Sequence, residues 1–339
     1  MKVIISDAAI RAVIDTPDVL KLHDLIVFAK ESKRYSLFFE SADGLNLVLS
    51  TFMPKIAAIY RVLLEASFRD APGYPTARTT VKIAPVEMPL WNKPIPILPL
   101  DEAIKLLKEK LAILVENAAN DWNFLLGIMP EWERKLLQDY VRNDWAEPVH
   151  GGGDTLGKLL AARLAEPRKA FRTFVLFDSD RLHPDEFDPD WTTARPGKQA
   201  AACNAYEWER QILESDVKPH YWMLKRRFIE SYMPREELQK GAENKTHPDA
   251  CNAFFRMDCT ARWYYNMKEG LLKDQDRDDK ERCRDLYRNL TPDMRNALAG
   301  GFGKTLARHY AASLDDDFAW DFDARNEADQ MLPRLFNLL

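Results

Sequence analysis

Two short runs of wholly apolar residues each stop abruptly on an acid, and they constrain this chain more than anything else in it. Leu111–Val115 ends at Glu116, and Phe174–Phe177 ends at Asp178. A strand with one wet face alternates polar and apolar residues, whereas an unbroken short run suits a strand covered on both sides. That is the situation in a parallel sheet whose crossover helices lie on both faces. The helix-like stretch Ala118–Met129 is one such crossover, so the pattern from 111 to 235 reads as α/β.

Ligands of open parallel sheets bind at the carboxyl ends of the strands. Acids placed directly after two such strands therefore share a crevice when the strands are neighbours. In Asp178–Ser179–Asp180 the i, i+2 spacing sets both carboxylates on one side of an extended backbone, with Ser179 facing the other way. Glu116, Asp178 and Asp180 converging would repel one another, which calls for a divalent cation. Oxygen ligands alone favour Mg²⁺ or Mn²⁺ over zinc. The plainer alternative is that each acid caps a helix or forms a turn.

The flanks differ in texture. Residues 1–100 form an N-terminal α/β segment that ends in a proline-rich linker or edge, Pro85 to Pro99. Within it Tyr35–Phe39 and Leu45–Phe52 flank Ser41–Gly44 as a hairpin, and Met53–Phe68 has helical spacing. Asp101 caps a helix, Glu102–Lys110, that opens the central segment 101–238. Residues 239–339 read as helical, over Cys251–Tyr265, Lys280–Leu290 and Pro292–Ala312. The charged stretch Lys268–Arg284 reads as a solvated helix face. Asp315–Asp323 is interleaved with Phe318, Trp320 and Phe322 and is expected to dock.

Composition narrows the class. No apolar run approaches the ~18–20 residues a membrane span requires. Asp7 interrupts the N-terminus before a secretory signal core could form, and the four cysteines make no CxxC pair, so a cytoplasmic protein is expected. A net charge of −5 weighs against a simple DNA-binding module, and less against an enzyme that carries clustered carboxylates as metal ligands. His247, Cys251 and Cys259 have no common zinc spacing. Gly300–Thr305 lacks the phosphate-loop spacing and reads as a helix break. Trp263–Tyr264–Tyr265 reads as core, although such rings can also stack on bases.

Order and spacing now add a resemblance. Leu111–Leu126 (LAILVENAANDWNFLL), the glycine turn Gly151–Gly157 after His150, Phe174–Arg181 (FVLFDSDR) and His220–Pro234 (HYWMLKRRFIESYMP) follow one another as the motifs of TOPRIM domains do. Together, over about residues 105 to 236, they resemble the overcoming-lysogenization-defect (OLD)-like nucleases of anti-phage defence. The resemblance implies a Rossmann-like TOPRIM core and two-metal hydrolysis of DNA or RNA. Glu116, Asp178, Asp180 and Glu230 would be ligands and catalytic groups, with Lys225 beside them. Arg226, Arg227 and Arg181 would face the phosphate, unless they belong to an exposed basic face. One departure stands: TOPRIM motifs usually place glycine after the glutamate and an acid four residues on, where this chain has Asn117 and Asn120. Either Asn120 serves as a neutral ligand, or a local turn lets Asp121 reach in.

By analogy the effector would work with a separately encoded ATPase, and as a possible homo-oligomer. The rival reading is an inactive TOPRIM-like protein that binds nucleic acid or a partner. A primase or topoisomerase subunit fits less well, because no tyrosine-nucleophile domain or zinc ribbon accompanies the motifs.

Overall fold

The computed structural model describes residues 1–32, 34–69, 79–152, 154–187, 203–242, 249–275 and 285–339. The chain builds two four-stranded sheets, each entirely parallel. The first contains β1 (Lys2–Ile5), β2 (Ser36–Phe39), β3 (Thr80–Ile83) and β4 (Ile97–Leu98), in the order β2-β1-β3-β4. The second contains β5 (Leu111–Val115), β6 (Ala146–His150), β7 (Thr173–Phe177) and β8 (His220–Met223), in the order β6-β5-β7-β8. The two share one topology, and in each the order reverses between the first and third strands. Helices link the strands, except β3 and β4, so the architecture is α/β and consistent with a Rossmann-like core.

The unbroken apolar runs are explained by the packing of the second sheet. Leu111, Ile113, Val115, Phe174 and Leu176 belong to one core, while Ala112, Leu114, Val175 and Phe177 belong to another, with Leu156, Leu160, Trp208 and Ile212. Successive residues of a strand point to opposite faces, and here both faces are dry. The first sheet behaves differently: β1, β2 and β3 each alternate half-buried and buried residues.

Three expectations are corrected here. Ser41–Gly44 does not turn a hairpin. β2 runs instead into the helix Ala42–Ser50, where the Ser41 hydroxyl accepts the Gly44 N–H at 3.0 Å. Leu45, Val48 and Leu49 are its buried face, an i, i+3, i+4 stripe. The helix after the proline-rich stretch spans Leu100–Lys108, with Pro99 at its N-cap and Asp101 in its first turn. Its Ala103, Leu106 and Leu107 complete the core of the first sheet, so the helix belongs to that unit. Finally, one hydrophobic core runs from Leu111 to Leu339, crossing position 238 without a break. Of the C-terminal helices, Phe322–Phe336 packs on β8, Cys259–Tyr264 packs on the turn Ile229–Tyr232, and Ala250–Arg256 joins the same core. Of the helix read over 280–290, positions 280–284 lie outside the described residues, and 285–289 form a turn.

The proline-rich stretch does form an edge, closed by the short strand β4. Phe318 and Trp320 dock as expected, although Phe322 is 81% exposed. Tyr264 and Tyr265 are core residues.

The two units meet through the amino ends of their strands. Arg34, just before β2, donates to the carbonyls of Glu109 and Trp145, which precede β5 and β6. The Met1 ammonium donates to Leu339 O at 2.9 Å. The carboxyl edge of the second sheet therefore faces away from the first unit. Among the described residues, no helix is long and apolar enough to cross a membrane.

Candidate active site

β5 and β7 pair directly, from Ala112↔Thr173 to Leu114↔Val175, and the strand order reverses between them. Glu116 and Asp178, which follow these strands, are thus brought side by side at the crevice. The Asp178 N–H donates to Glu116 Oε1 at 2.9 Å. The Asp178 carboxylate in turn accepts the Ile229 N–H at 2.9 Å. Ser179 is fully buried and donates to Arg226 O at 3.0 Å, which turns it away from the acids as its spacing requires. Asp180 has φ 52, a left-handed conformation that aspartate tolerates better than most residues, and its N–H donates to Arg227 O.

The turn after Glu116 places Asn120 and Asp121 differently. The Asn117 side chain accepts the N–H groups of Ala119 and Asn120 at 3.0 and 2.9 Å, which closes a local turn. Asp121 then folds inward: it is 8% exposed, and its Oδ2 accepts the Asn117 N–H at 2.8 Å. The extra residue is absorbed by the turn, and Asp121 takes the inner place.

Glu230 arrives from β8. The strand leads through Leu224–Phe228 into the single turn Ile229–Tyr232, where Glu230 is 2% exposed. The loop is held by Glu327, a buried acid of the helix Phe322–Phe336. Its carboxylate accepts the Trp222 indole N–H at 2.9 Å, the Lys225 N–H at 2.9 Å and the Tyr232 hydroxyl at 2.8 Å.

The basic residues are distributed differently from expectation. Arg226 is buried, with its guanidinium on Ser231 O at 2.8 Å and Asp321 Oδ1 at 2.6 Å, and stacked over Tyr232. Arg227 is 1% exposed and forks onto Asp274 at 2.7 and 3.1 Å. Both guanidinium groups are engaged inside the protein and tie the loop to the C-terminal helices. Neither is offered to a phosphate. Arg181 donates to Pro184 O and Lys225 O, and Lys225 itself is exposed.

The lysine that stands among the carboxylates is Lys268. Its Nζ lies 3.4 Å from Glu230 Oε1 and 4.5 Å from the centre of the Phe228 ring. Sequence reasoning missed it, because it opens the charged stretch read as a solvated face. The available signal was its position right after the buried run Tyr264–Met267. A close backbone crossing fixes it: Gly270 has φ 73, and a Cβ there would meet Ala299 O and Gly301 N at 2.3 Å. Gly270→Ala is expected to destabilise the protein by roughly 2 kcal/mol or more, the range for strain at such a position. Urea denaturation reads this directly, as a lower midpoint at unchanged slope.

The electrostatics follow from this crowding. Burial, then Asp180 and Asp121, push the Glu116 carboxyl up to about 8. Burial pushes Asp121 to about 6, with Glu230 adding to it. Burial and then Glu116 raise Asp178 well above the usual carboxylate range. Burial alone would lower the Lys268 ammonium, but Glu230, Asp178, Asp180 and Glu116 outweigh it and raise it. In metal-free protein the folded state holds protons that the unfolded chain releases near pH 4–4.5. The stability they contribute is full below that range and is lost as pH rises through about 6 and then about 8. The melting temperature in EDTA is therefore expected to fall between pH 5 and 8. Glu116→Gln flattens the upper part of that decline, and an unchanged profile contradicts the assignment.

Among the described residues, no three His, Cys, Asp or Glu side chains stand in a ready metal-holding arrangement. The donor set nevertheless fits a hard cation. It consists of carboxylate oxygens alone, it is strained by its own charge, and Glu230 Oε2 is buried without a hydrogen-bond partner. Cys251 is buried and Cys259 exposed, while His247 lies outside the described residues. At the equivalent edge of the first sheet, Asp7 accepts the Ser41 hydroxyl at 2.6 Å while its Oδ1 is buried without a hydrogen-bond partner, and Glu40 pairs with Lys82 at 2.7 Å. Compared with family models, with curated proteins and with solved structures, the chain matches none.

Proposed function

We propose that this chain is a metal-dependent nuclease of TOPRIM type that hydrolyses phosphodiester bonds of DNA or RNA. One observation carries the reading: at the strand-order reversal of a parallel sheet the Asp178 N–H donates to Glu116 and its carboxylate accepts the Ile229 N–H, next to the Glu230–Lys268 pair. Mg²⁺ or Mn²⁺ would be held by Asp178, Asp180 and Glu116, with Glu230 and Asp121 beside them. A cation bound there activates water and neutralises charge on the phosphate. Glu116 would share that cation or help to deprotonate the attacking water. Asp178 is positioned from both sides, through its own N–H on Glu116 and its carboxylate under Ile229 N–H. Lys268 supplies the positive charge that the sequence reading had sought in Lys225, Arg226 and Arg227.

A role in anti-phage defence, with a separately encoded ATPase, belongs to the same proposal and rests on the motif resemblance. Purified protein with Mg²⁺ or Mn²⁺, incubated with plasmid, linear DNA and RNA, tests the activity. Cleavage that EDTA stops and Asp178→Ala removes is the expected result. Cleavage unaffected by Asp178→Ala would sink the site. The inactive-binder reading has one observation in its favour, the Glu230–Lys268 ion pair, since a cation already answers part of the negative charge. Binding of nucleic acid without cleavage under any metal would select it.

A further inference from the structure

The Glu230–Lys268 pair differs from the structural ion pair next to it. Arg227 and Asp274 are both buried, meet through two bonds at 2.7 and 3.1 Å, and share Asn266 and Tyr264 O as further partners. Lys268 reaches Glu230 at a single 3.4 Å contact, and its side chain is 35% exposed while that of Glu230 is 2% exposed. The second oxygen of Glu230 has no hydrogen-bond partner. A carboxylate buried this deeply needs a full complement of donors or a stronger positive charge, and one long contact to a partly wet ammonium is neither. Lys268 is therefore held by the summed field of the acids more than by a formed bond.

We propose that Lys268 is the resident counter-cation of the cluster, and that loading a divalent cation and releasing Lys268 from Glu230 are one exchange. The inference rests on the metal reading proposed above. An ammonium and a divalent cation drawn to the same oxygens oppose each other, and by linkage each weakens the other by the same factor. The lysine then sets the metal threshold of the site, and in metal-free protein it offsets part of the repulsion among the acids.

Two measurements on the full chain test this without reading activity. In calorimetric titration with Mn²⁺, Lys268→Met is expected to bind roughly tenfold more tightly than wild type, a typical size for coupling between two competing ligands. Lys268→Arg, which keeps the charge, stays near wild type. In wild-type protein, acetylation of Lys268 by acetic anhydride, followed by mass spectrometry, is expected to accelerate several-fold when Mn²⁺ is added. This second readout holds even if Lys268→Met fails to fold. Unchanged or weaker Mn²⁺ binding in Lys268→Met, or an acetylation rate indifferent to Mn²⁺ that binds, overturns the exchange and leaves the metal site intact. Absence of Mn²⁺ binding in wild type and variant alike overturns the metal reading itself.

Discussion

Asp178→Asn is expected to lower metal-dependent cleavage by about a thousandfold or more while making the metal-free protein harder to melt. The two effects have one cause. Asp178 is held in a half-buried place against Glu116, and both burial and that neighbour work against its charge. Functional sites commonly keep such unfavourable groups at the expense of stability. The asparagine carbonyl still accepts the Ile229 N–H, and the backbone N–H still reaches Glu116, so the local scaffold remains. What disappears is a negative charge, which relieves repulsion in the empty cluster and removes a cation ligand. A gain of ~1 kcal/mol corresponds to about 1–2 °C in melting temperature for a chain of this size. The rate loss follows the scale seen when one preorganised electrostatic group is removed from a site. Cleavage assays with Mg²⁺ and melting curves in EDTA check the two halves separately. Retained activity, or a melting temperature that drops by several degrees, contradicts the assignment of Asp178.

How much of this was legible in the sequence depends on the range of the interactions. The second sheet was readable because both of its faces are buried, which leaves uninterrupted apolar text at Leu111–Val115 and Phe174–Phe177. The acids after those strands were readable for the same reason, since a strand end fixes their place. The first sheet was hidden: its strands are four residues or shorter and alternate, and Leu45–Phe52 reads as a strand unless its i, i+3, i+4 spacing is given more weight than its apolar density. The basic residues misled because charge alone does not report burial. Arg226 and Arg227 sit beside Glu230 in sequence yet point into the core, where Asp321 and Asp274 answer them. Lys268 is remote in sequence from the acids it joins, and its segment is held by the Gly270–Gly301 crossing and by the Phe302 N–H on Met267 O. The boundary near 238 vanished on the same ground, because a core shared by Trp222, Tyr310 and Leu335 leaves no local mark.

Arg227→Met is expected to destabilise the protein by about 3–5 kcal/mol, the range for removing one partner of a buried ion pair. Asp274 would be left 5% exposed, with the Asn266 amide donating to it at 3.3 Å. The double substitution Arg227→Met with Asp274→Leu is expected to recover most of that loss, because two apolar side chains leave no buried charge unanswered. Urea midpoints of the three proteins give the comparison. A second readout separates this positioning role from phosphate contact. A residue that touches phosphate lowers the salt dependence of nucleic-acid affinity by about 0.9 in log–log slope when it is lost. For the double variant that slope is expected to match wild type, since the Arg227 guanidinium is spent on Asp274 and Tyr264 O. The cleavage optimum in Mn²⁺ is more sensitive, because Asp180 N–H rests on Arg227 O, and Asn266, two residues before Lys268, shares Asp274 with Arg227. A double variant that folds as stably as wild type and binds metal normally, yet shows a shallower salt slope, would return Arg227 to the substrate.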